Sequence, residues 1–319
     1  MKLIIPNFWR NKSIISSLLH PLSLLYRHIS SLVSHTSFKN IYIPKAKVIT
    51  VGNITMGGAG KTPVALSLAQ IYKNHSKAKI AILTRGYKGS LLGPVMADHS
   101  HSVKDIGDEA ILLAQQSATC ISKNRLAGIK FLEELGYEII ITDDGFQDQR
   151  FKKSLSILVV DTNFGFGNHM IFPAGPLRQS IDSGVKKANL IVLVGKEEID
   201  YKFDQDMPIF KAKLESKILL GNKKFIAFAG IGNPDKFFQT VVESEGNLIK
   251  SIVFADHHNY TKNDLDYLIN LSNQMQANLI TTEKDYTKID EAYKDKIQVL
   301  PVNLIWNNGH ELLQTLLNL

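Results

Sequence analysis

A glycine-rich stretch that ends in a lysine and a threonine, GNITMGGAGKTP at residues 52–63, has the residue types of a phosphate-binding loop. Such a loop needs backbone N–H groups that converge on an anion at the start of a helix, and its glycines permit that backbone shape. Lys61 would provide a cation for the β- and γ-phosphates of a nucleotide, and Thr62 a hydroxyl for Mg²⁺. The strict pattern has glycine where this chain has Thr55, but that position is where the loop leaves the preceding strand. We predict a nucleotide-binding loop made of Thr55, Met56, Gly57, Gly58, Ala59, Gly60, Lys61 and Thr62.

Two adjacent carboxylates follow an apolar run in the stretch IIITDDGFQDQR. The run predicts a strand that ends at Asp143 and Asp144, and carboxylates at the carboxyl ends of parallel strands face the ligand crevice. Because neighbouring side chains on a strand point to opposite faces, the two can act alike only if the strand has ended there. In phosphate-loop enzymes one such aspartate holds Mg²⁺, directly or through water. We therefore predict Thr62, Asp143 and Asp144 as the magnesium ligands.

Two further stretches contain candidate acid–base residues. In DIGDEA, Asp108 opens a predicted helix, where it could cap the helix or act as a general base, and the spacing leaves both interpretations open. In FADHHNYT, Asp256 and His257 follow a predicted strand. No matching Cys, His and Glu spacing surrounds the two histidines, so an Asp–His couple for proton transfer is favoured over a zinc site. Surface histidines without a role are the alternative.

The elements that must position these residues alternate between short apolar runs and helical stretches from residue 47 onward. Near-continuous apolar strands separated by helices indicate a parallel sheet covered on both faces. The first strands are predicted at Lys47–Val51, Lys79–Leu83, Thr119–Ser122, Glu138–Thr142, Ile157–Val160 and Leu190–Val194. A second, shorter α/β series begins at Phe225. The predicted fold class is α/β, with a phosphate-loop NTPase-type parallel sheet, a smaller second α/β domain and an N-terminal amphipathic helix.

The N-terminal segment is basic and amphipathic. The first acidic residue is Asp98, so residues 1–97 contain 13 Lys and Arg and no acid, although the whole chain has a net charge of only +7. No apolar run reaches the roughly 18 residues that span a bilayer, so the segment predicts a helix lying on an anionic membrane surface. A helix packed on the protein's own core is the alternative. The large apolar residues at helical spacing are Ile15, Leu18, Leu19, Leu22, Leu25, Ile29 and Leu32.

These patterns divide the chain of 319 residues into four predicted parts. They are an N-terminal membrane-associating helix (1–40), a phosphate-loop kinase core (41–200), a linker (201–224) and a second α/β domain (225–319). The single cysteine, Cys120, excludes an internal disulfide, and its predicted place at a buried strand end fits a reducing compartment. We expect no nucleic-acid partner and a monomer.

Nine motifs in one order resemble the tetraacyldisaccharide 4′-kinase family, the lipid A 4′-kinases of Gram-negative bacteria. They run from about residue 47 to 287 and read VGNITMGGAGKTP, TRGYKG, IGDE, DDGFQ, FGFGN, FPAGPLR, GIGNPDKFF, ADHHNYT and TTEKD. The resemblance implies ATP-dependent phosphorylation of the 4′-hydroxyl of a tetraacylated glucosamine disaccharide 1-phosphate, which gives lipid IVA at the cytoplasmic face of the bacterial inner membrane. It implies ATP and Mg²⁺ as cofactors, with a lipid A disaccharide precursor and an anionic membrane surface as partners.

The resemblance also implies roles for single residues, in a cleft between two α/β/α domains joined by a small β linker. Asp108 would be the base that removes the hydroxyl proton, and His257 would support it from the second domain. After GPLR the family commonly has Glu where this chain has Gln179, and the sequence leaves the consequence of that difference open. The implied substrate contacts are Arg85, Arg125, Gln147 and Arg178.

Two other classes of protein share part of the pattern. Bacterial partitioning and septum-site ATPases share the GGxGKT core and bind membranes through amphipathic helices, but their loop has a signature lysine where this chain has Met56. They also lack a second α/β domain. A soluble small-molecule kinase, in which the first residues are merely structural, is the other alternative. ATP is favoured over GTP because the lysine of TTEKD directly precedes Asp285, unlike the lysine of the guanine-reading pattern.

Overall fold

The computed structural model describes residues 6–35 and 41–318, without the side chains of residues 30–35. Its strands are β1 (Lys47–Gly52), β2 (Ile80–Thr84), β3 (Val95–Met96), β4 (Thr119–Ile121), β5 (Ile139–Asp143), β6 (Leu155–Asp161), β7 (Leu190–Val194), β8 (Ile209–Glu215), β9 (Lys224–Ala229), β10 (Asn247–Val253), β11 (Asn278–Thr281), β12 (Ile297–Val299) and β13 (Asn303–Trp306). After a short 3₁₀ turn at Asn7–Trp9, the helices are α1 (Ile14–His35), α2 (Lys61–His75), α3 (Val103–Ile106), α4 (Asp108–Gln116), α5 (Arg125–Glu134), α6 (Ile181–Lys187), α7 (Pro234–Glu243), α8 (Lys262–Met275), α9 (Glu283–Tyr286), α10 (Glu291–Lys294) and α11 (Gly309–Leu317).

Nine of the described strands form the first sheet, in the order β13-β8-β7-β6-β1-β5-β2-β4-β3. All neighbours are parallel except the edge pairs β3–β4 and β8–β13, which are antiparallel. The central strands are buried along their length, as the near-continuous apolar runs predict for a sheet covered on both faces. The α/β fold class predicted from the sequence is confirmed.

Helices cover both faces of this sheet. On one face, α2 buries Val64 and Leu68 against β1 and its neighbours, and each such side chain contributes about 1.5–3 kcal/mol to stability. On the other face, Ile129 and Leu132 of α5 pack against the opposite side of β1, β2 and β5. Cys120 lies fully buried in β4, as expected, and burial raises the pKa of its thiol to about 12.

A second sheet has four described strands in the order β10-β9-β11-β12, all parallel. Its central strand β9 is flanked by α7 on one side and α8 on the other. The carboxyl end of β9 leads into α7, and the carboxyl end of β10 leads into the loop of the two histidines. This sheet therefore presents both loops at one edge.

The sheet topology differs from the predicted division of the chain at two points. Strand β8 lies within the predicted linker and the predicted second domain extends to residue 319, yet β8 and β13 pair with each other in the first sheet. Helix α11 also returns to the first sheet, where Leu316 accepts a hydrogen bond of 2.8 Å from Tyr72 of α2. Without β13, strand β8 would be an edge strand with unpaired backbone groups, and the antiparallel pairing with β13 satisfies them.

Helix α1 turns two serines toward the protein and most of its large apolar residues toward solvent. Ser16 and Ser23, one heptad apart, are buried, whereas Leu18 is 74% exposed and most of the predicted apolar stripe is exposed with it. The stripe therefore does not pack on the protein's own core. The side chain of Leu32 and residues 1–5 and 36–40 of the predicted anchor lie outside the described part. Among the described residues, no helix is long and apolar enough to cross a membrane.

Candidate functional site

The phosphate loop connects the end of β1 to the start of α2. Its last glycine, Gly60, has a φ of 82° and α2 begins at the next residue, so the loop turns through a backbone shape that glycine adopts without strain. At the other end, a Cβ on Gly52 would lie 2.4 Å from the Cβ of Phe146, so only glycine allows β1 to meet the loop after β5 there. The Nζ of Lys61 lies 3.4 Å from the Oδ1 of Asn53, which holds the lysine over the loop.

Thr62 and Asp143 meet directly beside this loop. The Thr62 hydroxyl donates a hydrogen bond of 2.9 Å to Asp143 Oδ2, while Asp143 Oδ1 is buried without a hydrogen-bond partner. Burial raises the pKa of Asp143 to about 6, helped by the negative charge of Glu109 and opposed by Lys61. A buried carboxylate oxygen without a partner, next to a hydroxyl, is a donor set that suits a hard cation such as Mg²⁺.

Asp144 follows the end of β5 with a φ of 58°, so it turns away from the strand direction. Its carboxylate lies 3.7 Å from the Nζ of Lys61 and 3.6 Å from a guanidinium nitrogen of Arg178, beyond hydrogen-bond distance of both. The guanidinium of Arg125 donates a hydrogen bond to the backbone carbonyl of Asp144. Because β5 ends at Asp143, the alternation of side chains along a strand does not extend to Asp144. The two adjacent aspartates therefore face the same region, as they must if both are to bind one metal ion.

Asp108 and His257 form a hydrogen-bonded pair across the two sheets. The Nδ1 of His257 lies 2.8 and 3.0 Å from the two carboxylate oxygens of Asp108. Asp108 begins α4 and is only 3% exposed, whereas His257 belongs to the loop after β10 and has a φ of 58°. A left-handed backbone at a residue other than glycine costs free energy, so the surrounding structure must hold His257 in place.

Two lysines of the second sheet's domain surround the Asp108 carboxylate. Lys284 and the almost fully buried Lys288 lie 3.8 and 3.9 Å from Asp108 Oδ2, and Lys284 also pairs with Glu109 at 2.9 Å. Desolvation raises the pKa of Asp108, but the hydrogen bond from His257 and the charges of both lysines lower it more. The pKa of Asp108 therefore lies below its usual value, and the carboxylate is ionised at neutral pH.

An open cleft of about 940 Å³ joins these groups. Its walls come from the phosphate loop, the carboxyl ends of the central strands and the start of α7, so residues of both sheets' domains line it. The predicted site residues that line it are Met56, Gly57, Gly58, Ala59, Gly60, Lys61, Thr62, Arg85, Asp143, Asp144, Arg178 and His257. A cleft with a phosphate loop on one wall and an Asp–His pair on the other has the layout expected for phosphate transfer to a second substrate.

The model of the tetraacyldisaccharide-1-P 4′-kinase family matches residues 15–319. The chain belongs to this kinase family. It is 38% identical over 310 residues to the tetraacyldisaccharide 4′-kinase of Paramagnetospirillum magneticum, which covers 95% of this chain and 94% of that protein. The corresponding protein of Rickettsia bellii is 35% identical over 318 residues, covering 97% and 96%. A solved structure of LpxK from Aquifex aeolicus in complex with ATP superposes with a TM-score of 0.78 at 26% identity, covering 96% of this chain and 99% of that one.

Family membership confirms the resemblance and makes this chain a kinase. The roles of the individual residues rest on their geometry. Four predicted residues do not line the cleft. Asp108 lies behind His257, and Arg125 is buried against Asp144. The side-chain amide of Gln147 donates to the backbone carbonyl of Asn53 at 2.7 Å, and the Thr55 hydroxyl accepts from Asn53 at 3.2 Å. In this member of the 4′-kinase family, these side chains support the walls of the cleft.

Sequence reasoning missed Asn53, Glu109, Lys284 and Lys288 in this 4′-kinase family member. Asn53 contacts Thr55 and Lys61, so it organises the phosphate loop from inside. Lys284 lies in the TTEKD motif, where its position beside Asp285 served only to favour ATP over GTP. The one available signal was that Lys284 is the basic residue of a motif at a strand end. Nothing local in the sequence distinguishes Lys288, which becomes relevant only through its distance from Asp108.

Proposed function

We propose that the protein transfers the γ-phosphate of ATP to the 4′-hydroxyl of a tetraacyl glucosamine disaccharide 1-phosphate, which gives lipid IVA. The observation that carries this proposal is that the phosphate loop and His257, which is hydrogen-bonded to Asp108, line the same cleft. ATP is supported as the donor by the ATP complex of the Aquifex aeolicus relative, and the lipid acceptor by the names of the family and its members.

Lys61 and the backbone N–H groups of the loop would bind the β- and γ-phosphates at the start of α2. Thr62, Asp143 and Asp144 would hold Mg²⁺, because they bring a hydroxyl and two carboxylates to one side of the loop. When bound, the metal would neutralise charge that develops on the phosphate oxygens. Arg178, 3.6 Å from Asp144 and on the cleft wall, would add a positive charge at the same place.

The Asp108–His257 pair would remove the proton of the acceptor hydroxyl. With a proton on Nδ1, His257 donates to the Asp108 carboxylate and leaves Nε2 as the basic nitrogen. Because His257 lines the cleft and Asp108 does not, we propose that the imidazole is the group nearest the hydroxyl and that Asp108 orients it and stabilises its charged form. This refines the expectation that Asp108 takes the proton directly.

The lipid acceptor would approach from a membrane surface. Helix α1 exposes its apolar stripe, and Trp9 and Tyr26 beside it line the same cleft as the phosphate loop. An amphipathic helix with basic residues and an exposed apolar face binds anionic membranes. We therefore propose a peripheral position at the cytoplasmic face of the bacterial inner membrane, as a monomer without a nucleic-acid partner. The phosphorylated sugar head would contact Arg85 and Arg178, which line the cleft wall. Arg125 and Gln147 lie behind that wall and would support the contact.

A partitioning or septum-site ATPase remains the competing class to be tested. The family match across residues 15–319 and the second four-stranded sheet with its histidine loop both favour the kinase. The experiment is transfer of labelled phosphate from γ-labelled ATP to tetraacyldisaccharide 1-phosphate in mixed detergent micelles. Labelled lipid is the expected result. Hydrolysis of ATP without labelled lipid would overturn the proposal and favour the ATPase class.

The exposed stripe of α1 predicts a loss of membrane binding. Replacing Leu18 and Leu25 together by serine is expected to lower partitioning onto vesicles of phosphatidylglycerol and phosphatidylethanolamine by about a hundredfold or more, because each leucine loses about 1.5–3 kcal/mol of burial. Leu219→Ser is the matched control, since Leu219 is 70% exposed but lies in the loop between β8 and β9. Vesicle cosedimentation measures the effect, and equal binding by the double variant and the control would contradict it.

The lysines around Asp108 predict a pH effect. Lys284→Met is expected to shift the acidic limb of kcat/KM to higher pH, because the loss of a positive charge 3.8 Å from Asp108 favours proton binding by the Asp108–His257 pair and raises the apparent pKa of the pair. The sign follows because the Asp108–His257 pair must be free to accept the hydroxyl proton, so activity is lost as pH falls through the apparent pKa of the pair. Lys284→Arg keeps the charge and should keep the wild-type profile. An unshifted limb in Lys284→Met would refute the electrostatic role.

A further inference from the structure

The two motifs FGFGN and FPAGPLR form a loop that touches the N-terminal segment on one side and the phosphate loop on the other. We call residues 164–178 the bracing loop. At its far end, Pro176 accepts a hydrogen bond of 2.8 Å from the backbone N–H of Met56, and Arg178 donates one of 2.7 Å to the carbonyl of Ile54. These two backbone hydrogen bonds hold the start of the phosphate loop against the end of the bracing loop.

At its near end, the bracing loop holds the N-terminal segment through Asn168, which is 4% exposed. The side-chain amide of Asn168 donates 2.8 Å hydrogen bonds to the carbonyls of Phe8 and Ala174, and its Oδ1 accepts from the N–H of Met170 at 3.0 Å. Its backbone N–H donates to the carbonyl of Trp9 at 2.7 Å. One buried amide thus ties the N-terminal segment to both ends of the turn at residues 168–174.

Ser23 of α1 makes the second connection. Its hydroxyl donates to the carbonyl of Ile171 at 2.7 Å and accepts from the N–H of Ala174 at 3.1 Å. The indole N–H of Trp9 adds a hydrogen bond of 3.0 Å to the carbonyl of Pro173. These partners are backbone groups of Ile171, Pro173 and Ala174, and they lie within a few residues of Pro176, which bonds to Met56 of the phosphate loop. The position of α1 and the position of Met56 therefore depend on the same short stretch of backbone.

Glycines of the two motifs allow this close packing. Gly167 has a φ of 58°, and a Cβ there would lie 2.3 Å from the carbonyl oxygen of Trp9. A Cβ on Gly175 would lie 2.2 Å from the Oδ1 of Asn168. Contact with the N-terminal segment thus requires glycine at position 167, and packing on Asn168 within the bracing loop requires glycine at position 175.

We propose that the N-terminal segment is a component of the nucleotide site: through Ser23 and Asn168, acting as positioning residues, it holds the bracing loop and thereby the phosphate loop in the shape that binds ATP. This inference rests on the proposed nucleotide-binding role of the phosphate loop. It assigns the two faces of α1 different tasks. The outer face, with Leu18 and Leu25, serves the membrane, whereas the inner face, with Ser23, serves the nucleotide.

The test is the affinity of the full-length protein for ATP with Mg²⁺, measured by calorimetry in detergent micelles without lipid acceptor. Ser23→Ala and Asn168→Asp are each expected to weaken binding about fivefold or more, since each removes at least one buried hydrogen bond. Asn168→Asp keeps the acceptor for Met170 and loses both donated bonds. Ser17→Ala is the matched control, because the Ser17 hydroxyl is exposed and donates only to Ser13 of the same segment.

Steady-state kinetics separates positioning from a general loss of structure. Both variants should raise KM for ATP and leave KM for the lipid acceptor unchanged, while Leu18→Ser should keep the wild-type affinity for ATP. If either variant does not fold, Trp9→Phe replaces it, since it keeps an aromatic ring at this buried position and removes the indole donor to Pro173. Unchanged ATP affinity in folded Ser23→Ala and Asn168→Asp would overturn the inference. Failure of the wild type to bind ATP would instead overturn the nucleotide site itself, and the inference with it.

Discussion

Replacing Lys61 by methionine is expected to lower the rate of phosphate transfer to the lipid acceptor by about a hundredfold to a thousandfold, with the fold unchanged. The side chain starts α2 and its Nζ lies 3.4 Å from Asn53 and 3.7 Å from Asp144, so the charge is held where a bound triphosphate would lie. A positioned charge that stabilises the transition state contributes about 10² to 10³ in rate when tested by removal. Methionine keeps the length of the stem and removes only the ammonium group.

The measurement is the initial rate of labelled-lipid formation at saturating ATP. Lys104→Met is the matched control, because Lys104 is exposed on α3 and lies outside the cleft. If Lys61→Met forms labelled lipid at a rate within threefold of the wild type, the loop resembles a phosphate-binding loop but does not function as one. Loss of ATP hydrolysis together with loss of transfer would place the defect at the nucleotide, before the acceptor takes part.

Asp108→Asn and His257→Asn are each expected to lower kcat by about a hundredfold or more, and the double variant is expected to be no slower than the slower single variant. A positioned general base contributes about 10² to 10⁴ in rate. The two side chains form one unit, joined by hydrogen bonds of 2.8 and 3.0 Å, so breaking either partner removes the function of both. Binding of ATP should stay unchanged, because neither group contacts the phosphate loop.

The decisive measurement is the double-mutant cycle on kcat for lipid phosphorylation, with ATP affinity measured in parallel. Losses that multiply in the double variant would show that the two residues act independently, and the proposed pair would then be wrong. His258→Asn is the matched control. His258 is adjacent to His257, but its Nε2 pairs with Asp264 at 3.0 Å inside the second sheet's domain. This variant should retain near wild-type kcat.

The sequence alone determined the features that local pattern specifies. Six of the nine described strands of the first sheet, β1, β2, β4, β5, β6 and β7, were predicted to within about two residues, because a strand buried on both faces reads as a continuous apolar run. The edge strands β3, β8 and β13 were not predicted. The phosphate loop was predicted because three glycines, a lysine and a threonine have fixed positions relative to one strand and one helix. The two aspartates at the end of β5, Asp143 and Asp144, were predicted for the same reason. These signals lie within about a dozen consecutive residues, so no tertiary contact was needed to find them.

Only the tertiary structure decided what depends on contacts between distant residues. Asp108 and His257 are 149 positions apart, and sequence spacing left helix capping and surface exposure as open alternatives for them. The structure also placed Lys288 beside Asp108, and it placed Arg125 and Gln147 in supporting contacts. It returned β13 and α11 to the first sheet. The orientation of α1 was likewise undetermined, because its periodicity shows that it has an apolar face but not which neighbour that face meets. Here the buried face includes Ser23, whose hydroxyl satisfies backbone groups of the bracing loop, and such a choice depends on hydrogen-bond partners that come together only when the chain folds.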